Sequence, residues 1–457
     1  QRPWSAPQHG AAARRFVSGP RGEEGVPQCG GGCGDGVPCV GVPQLGGGVD
    51  LPVAGGENSG PGGDEHVHDG VGVDERGVGV AHLRPPRLVD AEPEALARGI
   101  ARIDEALEVA VKRGKMSAEA ASAARARLEP GTDLAALGTC DLVIEAVFED
   151  AGVKQALFAR LGGILRPDAV LATNTSYLDI DAMAQAIPNP ERVIGLHFFS
   201  PAHVMKLMEI VRATASGDAA MATGFALAKS LGKQPVEAGN GFGFIGNRIY
   251  AAYRLACEIM LEDGALPHEV DAALEGFGFA MGPFKVADLS GLDIAWAMRR
   301  ANAATRDPAD RYVAIPDRLC EAGRFGRKTG AGYYRYEGGK PVPDPEVEAL
   351  ILAEREARAI AAQPLDADAI VARAMAAIVN EAALVMEDGI ALRPGDIDVV
   401  LVNGYGFPRW RGGPVHWARQ QRAADLIRDC AGFAAMVGPG KGAGDLRRLG
   451  VEGETPT

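Results

Sequence analysis

Residues 1–87 contain no lysine, isoleucine, methionine or tyrosine, and only three leucines. The same stretch holds 22 of the 61 glycines and 10 of the 30 prolines of the 457-residue chain. A segment so poor in large aliphatic side chains cannot bury enough apolar surface to offset the entropy lost when its backbone becomes ordered. We therefore predict that residues 1–87 are low-complexity and disordered, or that they derive from GC-rich DNA translated in a wrong reading frame.

Long apolar runs are also absent. No run of 18 apolar residues is present, and the opening QRPWSAPQHGAAARRF lacks the apolar core of a secretory signal,. We therefore expect a cytoplasmic protein without a membrane span. The 60 acidic residues outnumber the 47 lysines and arginines, for a formal net charge of -13. This balance argues against binding to nucleic acid or to an anionic membrane, because both require a basic surface.

Cysteine is scarce, with seven residues in the whole chain, so a disulfide framework is not expected,. Cys29, Cys33 and Cys39 lie close together, but no second ligand pair follows at the spacing of a zinc site. We therefore predict no bound metal.

A glycine loop of the form G-x-G-x-x-G, which holds the pyrophosphate of a dinucleotide, is absent before residue 90,. The one full match, GFGFIG at 241–246, opens a helix, but the next acid, Asp263, ends that helix instead of a second strand. Asp90 follows a short apolar pair at 88–89 and precedes a helix. It is therefore the better candidate for the acid that binds ribose hydroxyls.

From residue 88 onward, apolar residues recur at helical and strand spacings. The pattern predicts helices at 92–112, 117–128, 150–163 and 178–186, and strands at 141–147, 168–174, 192–199, 206–211 and 233–238. Alternating strands and helices are typical of βαβ units. Residues 88–240 are therefore predicted to form an α/β domain with a mostly parallel sheet.

The pattern changes to long helices after Gly239, and it contains a repeat. EDGALPHEVDAALEGFGFAMGP at 262–283 is similar to EDGIALRPGDIDVVLVNGYGFPRWRGGP at 387–414. Each has a helix ending in Glu-Asp-Gly, a shared aspartate and a Gly-Pro pair, which indicates a duplicated helical unit. We predict helical domains at 241–345 and 346–430, followed by a tail at 431–457.

Polar residues follow three of the predicted strands. The ends are Glu145 to Glu149 with Lys154 one helical turn later, Thr173 to Ser176, and His197 to Ser200. Ligands of open parallel sheets bind beyond the carboxyl ends of the strands, so these residues are predicted to line a functional site.

His197 and Glu209 are twelve residues apart, and Pro201 between them ends the first of two predicted strands,. If the chain doubles back there, Glu209 lies beside His197. A carboxylate beside an imidazole fixes the tautomer of the ring and stabilises the proton that it takes up, as a general base requires. His203, in the turn, is the alternative histidine, and a purely structural core histidine is the other interpretation.

Residues 88–424 resemble the L-3-hydroxyacyl-CoA dehydrogenase family, and in particular the dehydrogenase half of bifunctional enoyl-CoA hydratase/3-hydroxyacyl-CoA dehydrogenases of fatty-acid β-oxidation. The resemblance is carried by DLVIEAVFED, LATNTSYLDI, GLHFFSPAHVMKLMEIV, GFGFIGNR, FGRKTGAGYYRYE and NGYGFPRWRGGP. It implies an α/β Rossmann-like domain followed by duplicated all-α C-terminal domains. The family's first βαβ half should precede Asp90, and the sequence there predicts that this half is missing or scrambled.

The resemblance further implies NAD-dependent oxidation of an L-3-hydroxyacyl-CoA to the 3-oxoacyl-CoA, with His197 as the base and Glu209 as its partner. Ser176 and Asn247 would hold the substrate oxygen. The residues that would line the NAD site are Asp90, Glu149, Lys154, Ser176 and Ser200, the last at a position where many family members have asparagine.

Two other interpretations stay open on the sequence alone. One is an inactive remnant without a pyrophosphate loop, which at best binds acyl-CoA or a protein partner. The other, a sugar or hydroxy-acid dehydrogenase of similar fold, has less support because the FGRKTGAGYYRYE segment and the duplicated unit resemble acyl-CoA enzymes. The expected partner is an acyl-CoA substrate. A monomer or homodimer, and a thiolase partner, are left open.

Overall fold

The computed structural model describes residues 39–42, 86–304 and 306–452. The predictions made for residues 1–87 therefore lie almost entirely outside the described residues. The described chain divides into two compact units. Residues 39–42, 86–196 and 213–231 belong to the first unit, and the remaining described residues belong to the second.

The first unit contains strands in the order β3-β2-β1-β4-β5-β6. They are β1 (Cys39–Val42), β2 (Arg87–Val89), β3 (Glu129–Gly131), β4 (Leu142–Glu145), β5 (Val170–Thr173) and β6 (Val193–Phe198). The last two residues of β6 belong to the second unit. β2 is parallel to β3, β4 is parallel to β5, and β5 is parallel to β6. All four residues of β5 are buried, as expected of a strand covered on both faces,.

The strand β1 lies between β2 and β4 and is antiparallel to both. The prediction that the first βαβ half is missing is therefore not confirmed, because a strand from this region pairs at the centre of the sheet. Backbone N–H and C=O groups pair independently of side-chain size, so a segment of unusual composition can still fill this position. The residues between β1 and β2, where a glycine loop would belong, lie largely outside the described ranges.

In the described part of the first unit, five α-helices accompany these strands, and the predicted ones are confirmed within a few residues. They are α1 (Pro93–Lys112), α2 (Ala118–Ala126), α3 (Ala151–Ile164), α4 (Ile180–Ala184) and α5 (Asp218–Ser230). Ser117 caps α2 as predicted, since its hydroxyl accepts the backbone N–H of Ala120 at 3.1 Å,. The helix α5 was not predicted, because it is built largely from alanine and other small residues that give little periodic contrast.

The second unit contains a parallel pair of strands and the remaining helices. The strands are β7 (Leu207–Arg212) and β8 (Gln234–Gly239), with a hairpin of β9 (Arg335–Glu337) and β10 (Lys340–Val342). The helices are α6 (Gly246–Asp263), α7 (Pro267–Phe277), α8 (Pro283–Ser290), α9 (Leu292–Ala301), α10 (Ile315–Glu321), α11 (Pro345–Ala357), α12 (Ala367–Glu387), α13 (Pro394–Gly404), α14 (Pro414–Ala418) and α15 (Ala423–Val437).

The sequence repeat corresponds to a repeat of structure, in which α6, α7 and α8 recur as α12, α13 and α14. The two Glu-Asp-Gly segments end α6 and α12, and their glycines, Gly264 and Gly389, have φ values of +148° and +70°. At Gly264 an added Cβ would also lie 1.9 Å from the carbonyl oxygen of Gln363. The repeated glycine is therefore required at Gly264 by both its backbone conformation and the space around it.

The shared aspartate of the repeat joins two helices in each copy. In the first copy, Asp271 of α7 accepts the backbone N–H of Phe284 at 2.9 Å, at the start of α8. In the second copy, Asp398 of α13 accepts the backbone N–H of Val415 at 2.7 Å, at the start of α14. Each carboxylate thus caps the next helix from a distance, which explains why both copies retain an aspartate and a Gly-Pro pair.

The helix α12 is long and apolar enough, by length and composition alone, to cross a membrane. However, 72% of its most apolar window is buried inside the protein, where it packs against α6, α7 and α15. The core helix of a folded domain has the same composition, so this helix is weak evidence for a membrane span.

The region predicted as a tail after residue 430 continues the folded structure. The helix α15 runs across that predicted boundary, and the chain beyond it returns to α12. The backbone N–H of Gly444 donates to Oδ1 of Asn380 at 2.9 Å, and Leu446 and Leu449 are buried.

Candidate active site

His197 and Glu209 meet inside the second unit, near the end of β6 and in the middle of β7. Nδ1 of His197 lies 2.7 Å from Oε2 of Glu209, and the two residues are 4% and 0% exposed. A carboxylate can only accept a hydrogen bond, so it places the ring proton on Nδ1. Nε2 is then the ring nitrogen whose lone pair can take up a proton.

The other carboxylate oxygen of Glu209 holds the start of α6. Oε1 accepts the backbone N–H of Ile245 at 3.1 Å and that of Gly246 at 3.0 Å. These N–H groups have no partner within the helix, and the positive end of the helix dipole favours a negative charge at this point. The carboxylate is therefore fixed by α6 on one side and orients the imidazole on the other.

Aromatic rings pack around the imidazole. The ring of Phe199 lies 4.5 Å from that of His197, centroid to centroid, and the ring of Phe244 lies 5.6 Å away. Phe199 and Phe244 are both buried. The histidine can therefore adopt few orientations, and water has little access to the His–Glu pair.

Asn247 lies in the first turn of α6, two residues after Ile245. Its Oδ1 accepts a hydrogen bond from the hydroxyl of Tyr405 at 2.7 Å. Tyr405 follows α13 in the second copy of the repeat and was not among the predicted site residues. The only available signal was the NGYGFPRWRGGP segment, which marked the resemblance without pointing to the tyrosine.

The G-x-G-x-x-G match at 241–246 serves close packing within the second unit. A Cβ added to Gly241 would lie 2.4 Å from Cδ1 of Ile390, and one added to Gly246 would lie 2.3 Å from Cε2 of Tyr405. Asp263, the acid downstream, forms ion pairs with Arg311 and with Arg373, both at 2.7 Å. The motif therefore lets the start of α6 pack closely against Ile390 and Tyr405.

In the first unit, the end of β4 holds a buried ion pair. Nζ of Lys154 lies 2.7 Å from Oε1 of Glu145, and both residues are 0% exposed. The hydroxyl of Thr173 donates to the other oxygen of Glu145, also at 2.7 Å. Glu145 therefore joins the ends of β4 and β5, and Lys154 of α3 pairs with it. Nζ of Lys154 also lies 3.3 Å from Glu149.

Glu149 and Ser176 lie together beyond the same strands. Oε1 of Glu149 accepts the backbone N–H of Ser176 at 3.0 Å and the hydroxyl of Thr175. Two of the predicted cofactor residues thus occupy one polar cluster at the carboxyl ends of β4 and β5, as expected for parallel strands.

The remaining predicted site residues have simpler surroundings. Asp90 follows β2, and its Oδ1 accepts the backbone N–H of Glu92 at 2.9 Å, just before α1. Ser200 follows β6 and is exposed. His203, the alternative histidine, is exposed in the turn before β7.

These features define the class of protein. The first unit is a Rossmann-like nucleotide-binding domain, and the second, largely helical unit contributes the buried His–Glu pair. Residues 82–241 match the family described as "3-hydroxyacyl-CoA dehydrogenase, NAD binding domain". Residues 243–336 match "3-hydroxyacyl-CoA dehydrogenase, C-terminal domain". The chain belongs to the 3-hydroxyacyl-CoA dehydrogenase family, as the resemblance indicated.

Known proteins support this assignment. The chain is 41% identical over 368 residues to the human "Peroxisomal bifunctional enzyme", covering 76% of this chain and 50% of that protein. It is 33% identical over 380 residues to "Fatty acid oxidation complex subunit alpha" of Psychrobacter arcticus, covering 81% and 52%. The structure of 3-hydroxybutyryl-CoA dehydrogenase from Escherichia coli is similar with a TM-score of 0.66 and 30% identity, over 75% of this chain and 88% of that one. The chain thus spans about half the length of these two curated relatives.

Proposed function

We propose that this chain catalyses NAD-dependent oxidation of an L-3-hydroxyacyl-CoA to the 3-oxoacyl-CoA in fatty-acid β-oxidation. The observation that carries the proposal is the contact of 2.7 Å between Nδ1 of His197 and Glu209, both buried in the second unit. A histidine oriented by a carboxylate on Nδ1 is suited to remove a hydroxyl proton with Nε2. When bound, NAD supplies the acceptor for the hydride that leaves C3 of the substrate.

His197 takes the proton of the 3-hydroxyl on Nε2 as the C3–H bond breaks and the C3–O bond becomes a carbonyl. Glu209 stabilises the positive charge that appears on the ring, because its carboxylate oxygen lies 2.7 Å from Nδ1,. In the reverse direction the protonated histidine returns that proton to the oxygen. Ser176 and Asn247 are proposed to donate hydrogen bonds to the same substrate oxygen, as the family resemblance implies.

The residues of the first unit fit a dinucleotide in part. The carboxylate of Asp90 follows β2, where an acid can accept hydrogen bonds from ribose hydroxyls. Glu149 and Ser176 are proposed to line the same cofactor site, and Ser200 is proposed to contribute from the end of β6. Lys154 fits less well, because its ammonium group is buried against Glu145. Its proposed role is to hold Glu149, 3.3 Å away, in position.

The comparisons do not favour the alternative of an inactive remnant. The family match includes the NAD-binding domain, and the named relatives are fatty-acid oxidation enzymes and dehydrogenases. The cytoplasmic location, the oligomeric state and a thiolase partner stay predictions from the sequence.

The proposal is tested by measuring the reduction of acetoacetyl-CoA with NADH. His197→Gln should lower kcat by about 100-fold or more, because the general base and acid is lost. Circular dichroism and the melting temperature should show that the fold is retained. His203→Gln is the matched control, since His203 is exposed, and it should leave kcat unchanged. Turnover retained in His197→Gln, or lost in His203→Gln, would remove His197 from the proposed role.

A further inference from the structure

The hydrogen bond between Tyr405 and Asn247 connects the two copies of the helical repeat. The donor and acceptor are 158 residues apart in the chain, and the distance between Oη of Tyr405 and Oδ1 of Asn247 is 2.7 Å. Tyr405 follows α13 in the second copy, whereas Asn247 lies at the start of α6 in the first. The proposed proton transfer to His197 does not involve the tyrosine directly.

The hydrogen bond determines what the asparagine can offer to a ligand. A tyrosine hydroxyl that donates to Oδ1 selects one of the two orientations of the side-chain amide, which differ by a rotation of 180°. In that orientation the amide oxygen is directed at Tyr405, and Nδ2 with its two hydrogens is directed away from it. Asn247 is then held as a hydrogen-bond donor to any group on its other side.

The position of Tyr405 is itself tightly constrained. Gly246 allows its ring to approach the helix, since an added Cβ would lie 2.3 Å from Cε2 of the ring. The ring of Phe199 meets it edge-on at 5.5 Å, and Phe199 in turn contacts His197. The backbone N–H of Gly246 donates to Glu209, so one short stretch of α6 is fixed by both the His–Glu pair and the tyrosine.

We propose that Tyr405 is a positioning residue for the dehydrogenase reaction, supplied by the second copy of the helical repeat. It holds the amide of Asn247 so that Nδ2 donates to the oxygen on C3 of the substrate. This oxygen gains negative charge as its proton moves to His197, and an oriented donor stabilises that charge most. The inference rests on the proposed function, because it assigns Asn247 to the substrate oxygen.

Tyr405→Phe is the variant that tests this inference, because it retains the ring and removes only the hydroxyl. It should lower kcat for acetoacetyl-CoA reduction about three- to tenfold, the effect of losing one hydrogen bond, with a smaller change in KM. Tyr253→Phe is the matched control, since Tyr253 is a buried tyrosine of α6 whose ring stacks on Phe279. This control should leave kcat unchanged.

A double-mutant cycle separates positioning from a general structural role. If the hydroxyl acts through the amide, Tyr405→Phe should cause no further loss of kcat in the Asn247→Ala background. The melting temperature of Tyr405→Phe should stay close to that of the unaltered chain. Full kcat in Tyr405→Phe would overturn the inference. So would a Tyr405→Phe substitution that lowers kcat by the same factor in the unaltered chain and in Asn247→Ala. Either result would leave the proposed function intact. Absence of turnover in the unaltered full chain would overturn both.

Discussion

At the scale of single residues, Glu209 is the side chain on which most of the site depends. One carboxylate oxygen meets the imidazole of His197, and the other accepts two backbone N–H groups at the start of α6. A fully buried carboxylate would be costly without such partners, and here the helix start and the imidazole provide them. The same carboxylate therefore has a structural role, and the proposed function gives it a chemical role as well.

These two roles can be separated by Glu209→Gln. The amide oxygen can still accept the N–H groups of α6, but an amide directed at Nδ1 no longer stabilises the positive charge on the ring. We expect kcat for acetoacetyl-CoA reduction to fall by about 100-fold or more, with a modest change in melting temperature. A large drop in the melting temperature with little loss of kcat per folded molecule would show that Glu209 serves mainly to hold α6.

The sequence was sufficient to predict the pairing of His197 with Glu209, because only a short turn separates the two strands that carry them. Tyr405 could not be found in the same way. It lies 158 residues from Asn247, and only the packing of the two helical copies makes them neighbours. The burial of Lys154 against Glu145 could not be predicted either. A lysine one turn into a helix occupies the same sequence position whether its ammonium group contacts a ligand or a carboxylate.

At the scale of elements, the buried carboxylates of Asp271 in α7 and Asp288 in α8 each receive several hydrogen bonds. Besides capping α8, Asp271 accepts the hydroxyl of Tyr334 at 2.6 Å. The backbone N–H of Tyr334 donates to Asp288 at 3.0 Å, so one tyrosine joins two carboxylates. Burial raises the pKa of Asp271 to about 6, and it raises the pKa of Asp288 to about 6 as well.

This network predicts a specific pH dependence of stability. The folded state binds the proton of Asp271 more tightly than the unfolded chain, for which the usual pKa is 3.8. The stability that this proton contributes is present below pH 3.8 and is lost as the pH rises through about 6,. Relative to the unaltered chain, Asp271→Asn should therefore gain up to about 3 kcal/mol in free energy of unfolding across this interval.

Urea denaturation at a series of pH values measures this difference. Asp168→Asn is a suitable control, since the side chain of Asp168 is 76% exposed and has no burial cost to relieve. The free energy of unfolding of Asp168→Asn, relative to that of the unaltered chain, should not rise with pH. If the free energy of unfolding of Asp271→Asn, relative to that of the unaltered chain, is constant between pH 4 and 6, ionisation of Asp271 does not destabilise the fold and the prediction is wrong.

The elements themselves were predictable where local pattern decides them. Short apolar runs separated by helical segments predicted β4 to β8, and the repeated Glu-Asp-Gly segment predicted the ends of α6 and α12. The strand β1 was not predicted, because a CVGV segment among glycines and prolines carries no periodic signal and gains its partners only from β2 and β4. Long-range pairing of this kind is a property of the sheet as a whole and not of the segment.

At the scale of the whole molecule, the chain combines the proposed site for proton transfer with a sequence that lacks a G-x-G-x-x-G loop before Asp90. In dinucleotide-binding domains this loop brings backbone N–H groups and a helix start to the pyrophosphate. Without such a loop, contacts to the ribose and the nicotinamide have to provide most of the affinity for NAD. Weak cofactor binding would raise KM for NADH more than it lowers kcat, because His197 and Glu209 do not depend on the loop.

We therefore expect fluorescence titration of the full chain with NADH to give a Kd well above the micromolar range. Asp90→Asn should raise this Kd further, by about tenfold, because an amide accepts a ribose hydrogen bond more weakly than a carboxylate. Asp104→Asn is the control, since Asp104 lies on α1 and pairs with Arg125 at 2.7 Å. Micromolar binding by the unaltered chain would show that other residues replace the missing loop. An unchanged Kd in Asp90→Asn would show instead that this carboxylate does not contact the ribose, whatever the affinity of the chain.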